Sequence, residues 1–351
     1  MKNKVYIIDY EIISPIAVGK DGIIDSILSN KSAESKVERV NTDGIPFKKA
    51  AEVKTDLSLL YENENEIIKK VCKIDRKLEL LVASYWKSKE RLSPLIKKLK
   101  DEETGIILGI GSDAIPLEFF EDEIKNYIEK DLEPIQELET KLNNNNLKVN
   151  LVNNPYDIHA LYLAEKFNAG AFQKSILTAC VSSTQAIALG SESIINEEVQ
   201  VVIAGGTDSL INLVPLTSFG KLGVITETEL GIECTPFDSK RNGTLAGEAA
   251  GFVILASEEF IKTNNIEPLA QIIGYGNTLD AYKITAPDPE GTSMTNAIKN
   301  AILDSGLKPS QIDYINAHGT GTRHNDQLEL DCIEKALGKA AKKIPISSTK
   351  D

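Results

Sequence analysis

The sequence predicts an α/β fold with mainly parallel, buried sheets, and three observations carry that expectation. Short apolar runs alternate with longer amphipathic stretches, the pattern of strands crossed over by helices. Several of the apolar runs show no polar face, as strands covered on both sides require. The order of elements after Leu269 echoes the order before it without residue identity, which suggests an internal structural duplication.

Taken in order, Lys4 to Pro15 reads as a first strand and turn. Ile74-Asp75-Arg76 opens an amphipathic helical pattern that runs through Trp86 to about Leu99, with Pro94 as a kink or break. Gly105 to Gly111 is a buried strand ending in glycines. Its G-x-G lacks the third glycine and acidic partner of a dinucleotide fold, so it marks a tight strand-to-loop passage. Residues 117–150 are acidic and helical in pattern and close on Asn143 to Asn146, as a solvated surface insertion would. The apolar run Ser175 to Ala179 then hands over to the small-residue stretch Val181 to Gly190, a strand leading into a buried helix. Val199 to Ala204 is another buried strand, followed by Gly205-Gly206-Thr207-Asp208. In the second set, Ala270 to Gly274 is strand-like, Ser293 to Ser305 helical, and Asp313 to Ala317 and Ile344 to Ser348 strand-like.

With 351 residues the chain can bury a large core across two structural halves. Hydrophobic content of 42% and charged content of 26% are those of an ordinary globular protein. No apolar run approaches a membrane span, and Met1 to Asp9 turns directly into a strand pattern rather than a signal peptide. Cys72, Cys180, Cys234 and Cys332 form no CxxC pair and have only His159, His318 and His324 beside them. No metal site is expected from that set, and a reducing cytoplasm is the default location. A net charge of −13 argues against nucleic acid and anionic membranes as partners. An acidic protein partner would have to meet a local basic patch, for which Lys221, Lys240 and Arg241 are candidates.

Four segments can carry chemistry. Cys180 lies where an apolar run meets a small-residue helix, so its thiol would meet the leading amides and positive dipole end of that helix. That arrangement makes a nucleophile of cysteine without a charged neighbour, whereas a packed core cysteine is the plain alternative. Cys234 to Gly251 supplies glycines for a tight loop against a strand and by itself says nothing of chemistry. Asn316 to Thr322 sets His318 at the end of a buried strand, with glycines that let a ligand approach the backbone. A lone histidine is more often structural. Ser347 to Lys350 could deliver a lysine into the same region, though alone such a lysine is simply solvated.

Together these residues resemble the β-ketoacyl synthases, the condensing enzymes of fatty-acid and polyketide synthesis. The matching pieces are Thr178 to Ser183, Pro236-Phe237-Asp238 with Gly247-Glu248, Asn316 to Thr322, Asp326 with Glu329, and Ser347 to Lys350. Similarity extends to Ile13-Ser14-Pro15 and Asp75-Arg76, and the elongating type fits better than the initiating type or the thiolases. The resemblance implies a thiolase-like layered αβαβα fold of two pseudo-duplicated halves. The nucleophile half would span 1–258 with its insertion near 117–150, and a partial second half 259–351. It implies that Cys180 takes an acyl group as a thioester, which then condenses with a decarboxylating malonyl thioester. His318 would stabilise the thioester oxyanion, Lys350 would support the site electrostatically, and Thr320 and Thr322 would bind the phosphopantetheine arm. Asp326 and Glu329 would hold the loop.

The partner so implied is an acyl carrier protein whose phosphopantetheine arm brings the substrate, no cofactor being bound covalently to the chain itself. A homodimer, or a heterodimer with a related subunit, is implied in the same way. Two other readings stay open: a ketosynthase-like partner subunit, which Cys180 argues against, and an acyl transferase that does not condense. The sequence departs from the family at Ala249 and at Arg323-His324-Asn325, and His324 is expected to face solvent. It also ends at Asp351, before the family's second histidine, so the chain is expected to be a fragment of a longer protein.

Overall fold

A computed structural model describes residues 3–111, 157–226, 234–283 and 286–350. The expected insertion at 117–150 lies outside the described residues. In chain order the elements are β1 (Val5–Ser14), β2 (Ala17–Val18), α1 (Ile23–Leu28), β3 (Glu34–Lys36), β4 (Lys49–Ala51), α2 (Glu66–Cys72), α3 (Arg76–Ile96) and β5 (Thr104–Ile110). There follow α4 (Ile158–Phe167), β6 (Phe172–Ile176), α5 (Ser182–Ile195), β7 (Val201–Ser209), α6 (Leu213–Lys221), β8 (Glu248–Ser257) and α7 (Glu258–Asn264). The last are β9 (Ala270–Ile272), α8 (Thr292–Ser305), β10 (Ile315–Asn316), α9 (Asn325–Leu337) and β11 (Ile346–Ser347).

The main sheet runs β2-β1-β8-β7-β5-β6, with β9 also paired to β1. It is mixed, which corrects the expectation of mainly parallel sheets. β5 pairs in parallel with β6 and β7, whereas β8 runs antiparallel to both β7 and β1. Fully covered strands read alike in either direction, because burial on both faces removes the alternation that would distinguish them.

Side-chain alternation along these strands builds the layers. On β5, Ile106, Leu108 and Ile110 enter a core shared with Leu78, Leu81 and Tyr85 of α3 and Leu163 and Phe167 of α4. Ile107, Val202, Ala204 and Leu255 point to the opposite face, against Ala186 and Ile194 of α5. Each fully buried aliphatic side chain contributes about 1.5–3 kcal/mol, so this central sheet is the main source of stability. The second sheet is small: β10 and β11 pair in parallel beneath Ile298 and Ile302 of α8 and Ile333 and Leu337 of α9.

Sequence signals place α3 well. Asp75 caps it by accepting from the Leu78 amide. The helix continues through Pro94 to Ile96 without a break. Pro94 has no N–H to donate to the Glu90 carbonyl, so the helix loses a bond there, and it ends two residues later. Just inside the start of α3, Arg76 forms a buried two-pronged pair with Glu248, at 2.7 and 3.1 Å. Glu248 also accepts from the Val53 amide and the Ser209 hydroxyl. The Asp75-Arg76 and Gly247-Glu248 motifs, far apart in sequence, therefore form one buried joint between α3, β7 and β8.

Candidate functional site

The nucleophile candidate sits on a strained turn. β6 ends at Ile176, a one-turn 3-10 helix covers Ala179–Val181, and α5 begins at Ser182. Ala179 adopts φ 53°, a left-handed conformation that costs a residue with a β-carbon about 1–2 kcal/mol. The Ser182 hydroxyl holds the turn by accepting from the Thr178 amide and donating to the Ala179 carbonyl, both at 2.8 Å. Cys180 is exposed, while Cys72, Cys234 and Cys332 are buried. The packed core reading of Cys180 is thereby excluded. β6 itself is half-buried to exposed rather than buried, because among the described residues it forms an edge of the sheet and pairs only with β5.

Close packing below the turn explains the small residues of α5. A β-carbon on Gly109 would collide with the Ser182–Ser183 peptide, and one on Gly206 would press on the Ser183 side chain. The glycines ending β5 and lining β7 therefore let α5 lie directly on the sheet. Of the G-x-G that closes β5, Gly109 serves packing under the cysteine turn, whereas a β-carbon on Gly111 would meet the Asp208 carboxylate.

His318 and Lys350 arrive from the second sheet. β10 and β11 are parallel, so the segments leaving them emerge at the same edge. The histidine segment follows Asn316 and the lysine segment follows Ser347. β10 is not the buried strand expected: it has two residues, pairs among the described residues only with β11, and leaves Asn316 exposed. Lys350 Nζ donates to the His318 carbonyl at 2.5 Å, and Ser348 Oγ to the Gly319 carbonyl at 2.8 Å.

Two acids on one face of α9 hold the histidine loop. Glu329 accepts from the His318 and Gly319 amides at 2.6 and 2.8 Å, and Asp326 accepts from the Gly321 and Phe237 amides at 3.1 and 2.7 Å. These bonds tie Asn316–Thr322 to the Pro236-Phe237-Asp238 loop. Gly319 and Gly321 both have positive φ, and a β-carbon on Gly321 would stand 2.7 Å from the Gly243 carbonyl oxygen. Both glycines are required by conformation and by space. The Thr320 and Thr322 hydroxyls are half-buried and hydrogen-bonded to each other at 2.8 Å.

The electrostatics favour a neutral histidine. The His318 imidazole reaches solvent, yet enough protein surrounds it that burial lowers its pKa from the ordinary value. The Lys350 cation lowers it further, against smaller opposing effects of Glu329 and Asp326. Burial also lowers the pKa of Lys350, opposed by Glu329 first and then by Cys180. Lys350 thus lies within electrostatic range of both Cys180 and His318. The structure brings these three predicted residues into one region, with Thr320 and Thr322 on the histidine loop.

Sequence reasoning missed three supports. Ser182 locks the cysteine turn, and its signal is a hydroxyl four residues after Thr178. Cys234 donates from Sγ to the Lys350 carbonyl at 2.9 Å, a link between distant segments that no local pattern announces. Arg241, considered for a basic surface patch, is instead spent inside the site. It donates to the Thr322, Asp238 and Arg323 carbonyls. Lys221 and Lys240 of that patch remain exposed, as does His324.

The layered α/β fold, a mixed main sheet between helical layers with a small parallel sheet beside it, is that of the thiolase-like class. Within that class, the chain belongs to the β-ketoacyl synthase family. The family's N-terminal domain matches residues 2–260 and its C-terminal domain residues 269–351. The chain is similar to the 3-oxoacyl-[acyl-carrier-protein] synthase 2 of Coxiella burnetii, with 28% identity over 99% of this chain and 81% of the relative. The synthase of the same name from Staphylococcus aureus is 35% identical over 50% of this chain and 43% of its own. Among solved structures, the ishigamide ketosynthase/chain length factor aligns with a TM-score of 0.82 at 22% identity, over 100% of this chain and 81% of that one. A β-ketoacyl synthase from Burkholderia phymatum STM815 gives 0.79 at 22% identity, with the same coverage. These likenesses show the fold. No helix among the described residues is long and apolar enough to cross a membrane.

Proposed function

We propose that the chain is an elongating β-ketoacyl-[acyl-carrier-protein] synthase in which Cys180 is the acyl acceptor. The observation that carries the reading is an exposed cysteine on a strained strand-to-helix turn, in electrostatic range of a lysine bonded to the histidine loop. Cys180 Sγ attacks the carbonyl carbon of an acyl thioester; the new C–S bond forms as the carrier's thiolate leaves and takes a proton. A malonyl thioester then loses carbon dioxide, and the electron pair released forms the new carbon–carbon bond at the Cys180 acyl group, expelling Sγ. Negative charge gathers on the malonyl thioester oxygen during that loss. A neutral His318 can donate its N–H to that oxygen. Burial, and then Lys350, keep the histidine neutral, and Thr320 and Thr322 contact the amides of the phosphopantetheine arm.

The carrier partner follows from similarity to synthases named for acyl-carrier-protein substrates. One structural neighbour is itself described as a type II polyketide acyl-carrier protein in complex with its ketosynthase. We place the nucleophile half at 1–258 and a second half at 259–351, working in the cytoplasm as a homodimer or beside a related subunit. The exposed Cys180 favours a loading subunit over a partner that only shapes the pocket. Measuring acyl-enzyme formation separately from carbon dioxide release tests the reading. A synthase shows both, an acyl transferase only the first, and a partner subunit neither.

A further inference from the structure

We propose that Cys234 is a positioning residue for the reaction, a thiol clasp that sets Lys350 beside the histidine loop. The proposal rests on the condensing roles given to Lys350 and His318 above. Cys234 is buried, and its Sγ donates to the Lys350 carbonyl at 2.9 Å. At the other end of the same lysine, Nζ donates to the His318 carbonyl at 2.5 Å. Lys350 is thus gripped both at its backbone and at its charge.

The course of the chain explains why a clasp is needed. β11 ends at Ser347, whose carbonyl accepts from the Ala317 amide at 2.8 Å. Lys350 lies beyond that strand, so pairing with β10 no longer fixes its backbone. A lysine is a point charge on a flexible four-carbon stem, and where the charge rests depends on how firmly the backbone is held. Cys234 is well anchored for that task. It precedes Thr235-Pro236-Phe237, and the Phe237 amide is tied to Asp326 at 2.7 Å. A β-carbon on Gly321 would stand 3.5 Å from Cys234 Sγ, so the sulfur lies against the histidine loop. The thiol therefore joins the lysine segment to two loops that Asp326 already joins to each other. Its effect on the reaction runs through the proton on His318, because the Lys350 cation lowers that imidazole's pKa. A lysine held in place keeps the ring neutral, with an N–H to give to the malonyl thioester oxygen.

The test makes three variants of the full chain. Cys234→Ala and Cys234→Val both remove the donor but differ in volume, whereas Cys234→Ser keeps a donor in the hydroxyl. The first readout is the titration midpoint of His318 by NMR, taken without substrate. The second is carbon dioxide release counted per acylated Cys180, so that loss of folded material cancels. Both donor-free variants should move the midpoint up towards the ordinary histidine value and slow the release by about tenfold, as loss of one hydrogen bond allows. Cys234→Ser should hold the midpoint low and recover most of the rate. An unmoved midpoint in the donor-free variants would overturn the clasp. So would a shift in Cys234→Ala alone, which reports lost packing, or one equally large in Cys234→Ser. If the unaltered protein never acylates Cys180, the thioester reading fails instead, and the midpoint still decides whether Cys234 sets Lys350.

Discussion

Glu329 joins two consecutive amides, those of His318 and Gly319, with one oxygen each. Glu329→Gln replaces one acceptor by an amide that faces an N–H, and a buried unpaired group costs about 1–3 kcal/mol. We expect that loss in thermal unfolding, together with at least a tenfold drop in condensation rate as the histidine loop shifts. His318 makes a second prediction, because burial and then Lys350 disfavour its imidazolium. Its titration, followed by NMR, should have a midpoint below the ordinary histidine value. The sign is fixed by proton counting: below that ordinary value the unfolded chain binds the proton first. Stability from His318 is therefore present at neutrality, falls as pH drops through the ordinary value, and levels off below the folded value. A midpoint at or above the ordinary value contradicts the electrostatic role of Lys350.

At the scale of elements, the packing of α5 on β5 decides where Cys180 stands. Gly109→Ala puts a methyl group into the Ser182–Ser183 peptide, and overpacking of this kind costs about 1–3 kcal/mol. The variant should unfold at lower temperature and acylate Cys180 more slowly, whereas an unchanged rate would uncouple the helix from the nucleophile. Much of this level was legible in the sequence. β1, α3, β5, β7 and α8 match their patterns because apolar periodicity and caps are local signals. Strand direction was not legible, since β8 carries nothing that marks it antiparallel to β7. The partial exposure of β6 and β10 was hidden for a related reason: apolar residues record a preference for burial, while strand neighbours decide whether it is met. At the site, Cys180, His318 and Lys350 stood out by family pattern, but Ser182 and Cys234 act through contacts that only folding creates.

Across the whole molecule, the Arg76–Glu248 joint ties the helical layer to the sheet. Burial pushes the Glu248 carboxyl up, and hydrogen bonds and charge from Arg76 overcome it, leaving the pKa below the usual carboxylate value. Its contribution is present above that usual value and is lost as pH falls through the lower, folded one. Glu248→Gln should destabilise by about 3–5 kcal/mol, the cost of breaking a buried pair from one side, and should flatten the acid limb of a stability–pH curve. The most direct test of the account uses the exposure of one cysteine among four. After incubation with an acyl-carrier-protein thioester, peptide mass mapping should place the acyl group on Cys180, with Cys72, Cys234 and Cys332 unmodified. Acylation of a buried cysteine in preference to Cys180, or an unmodified Cys180 under turnover, would contradict it.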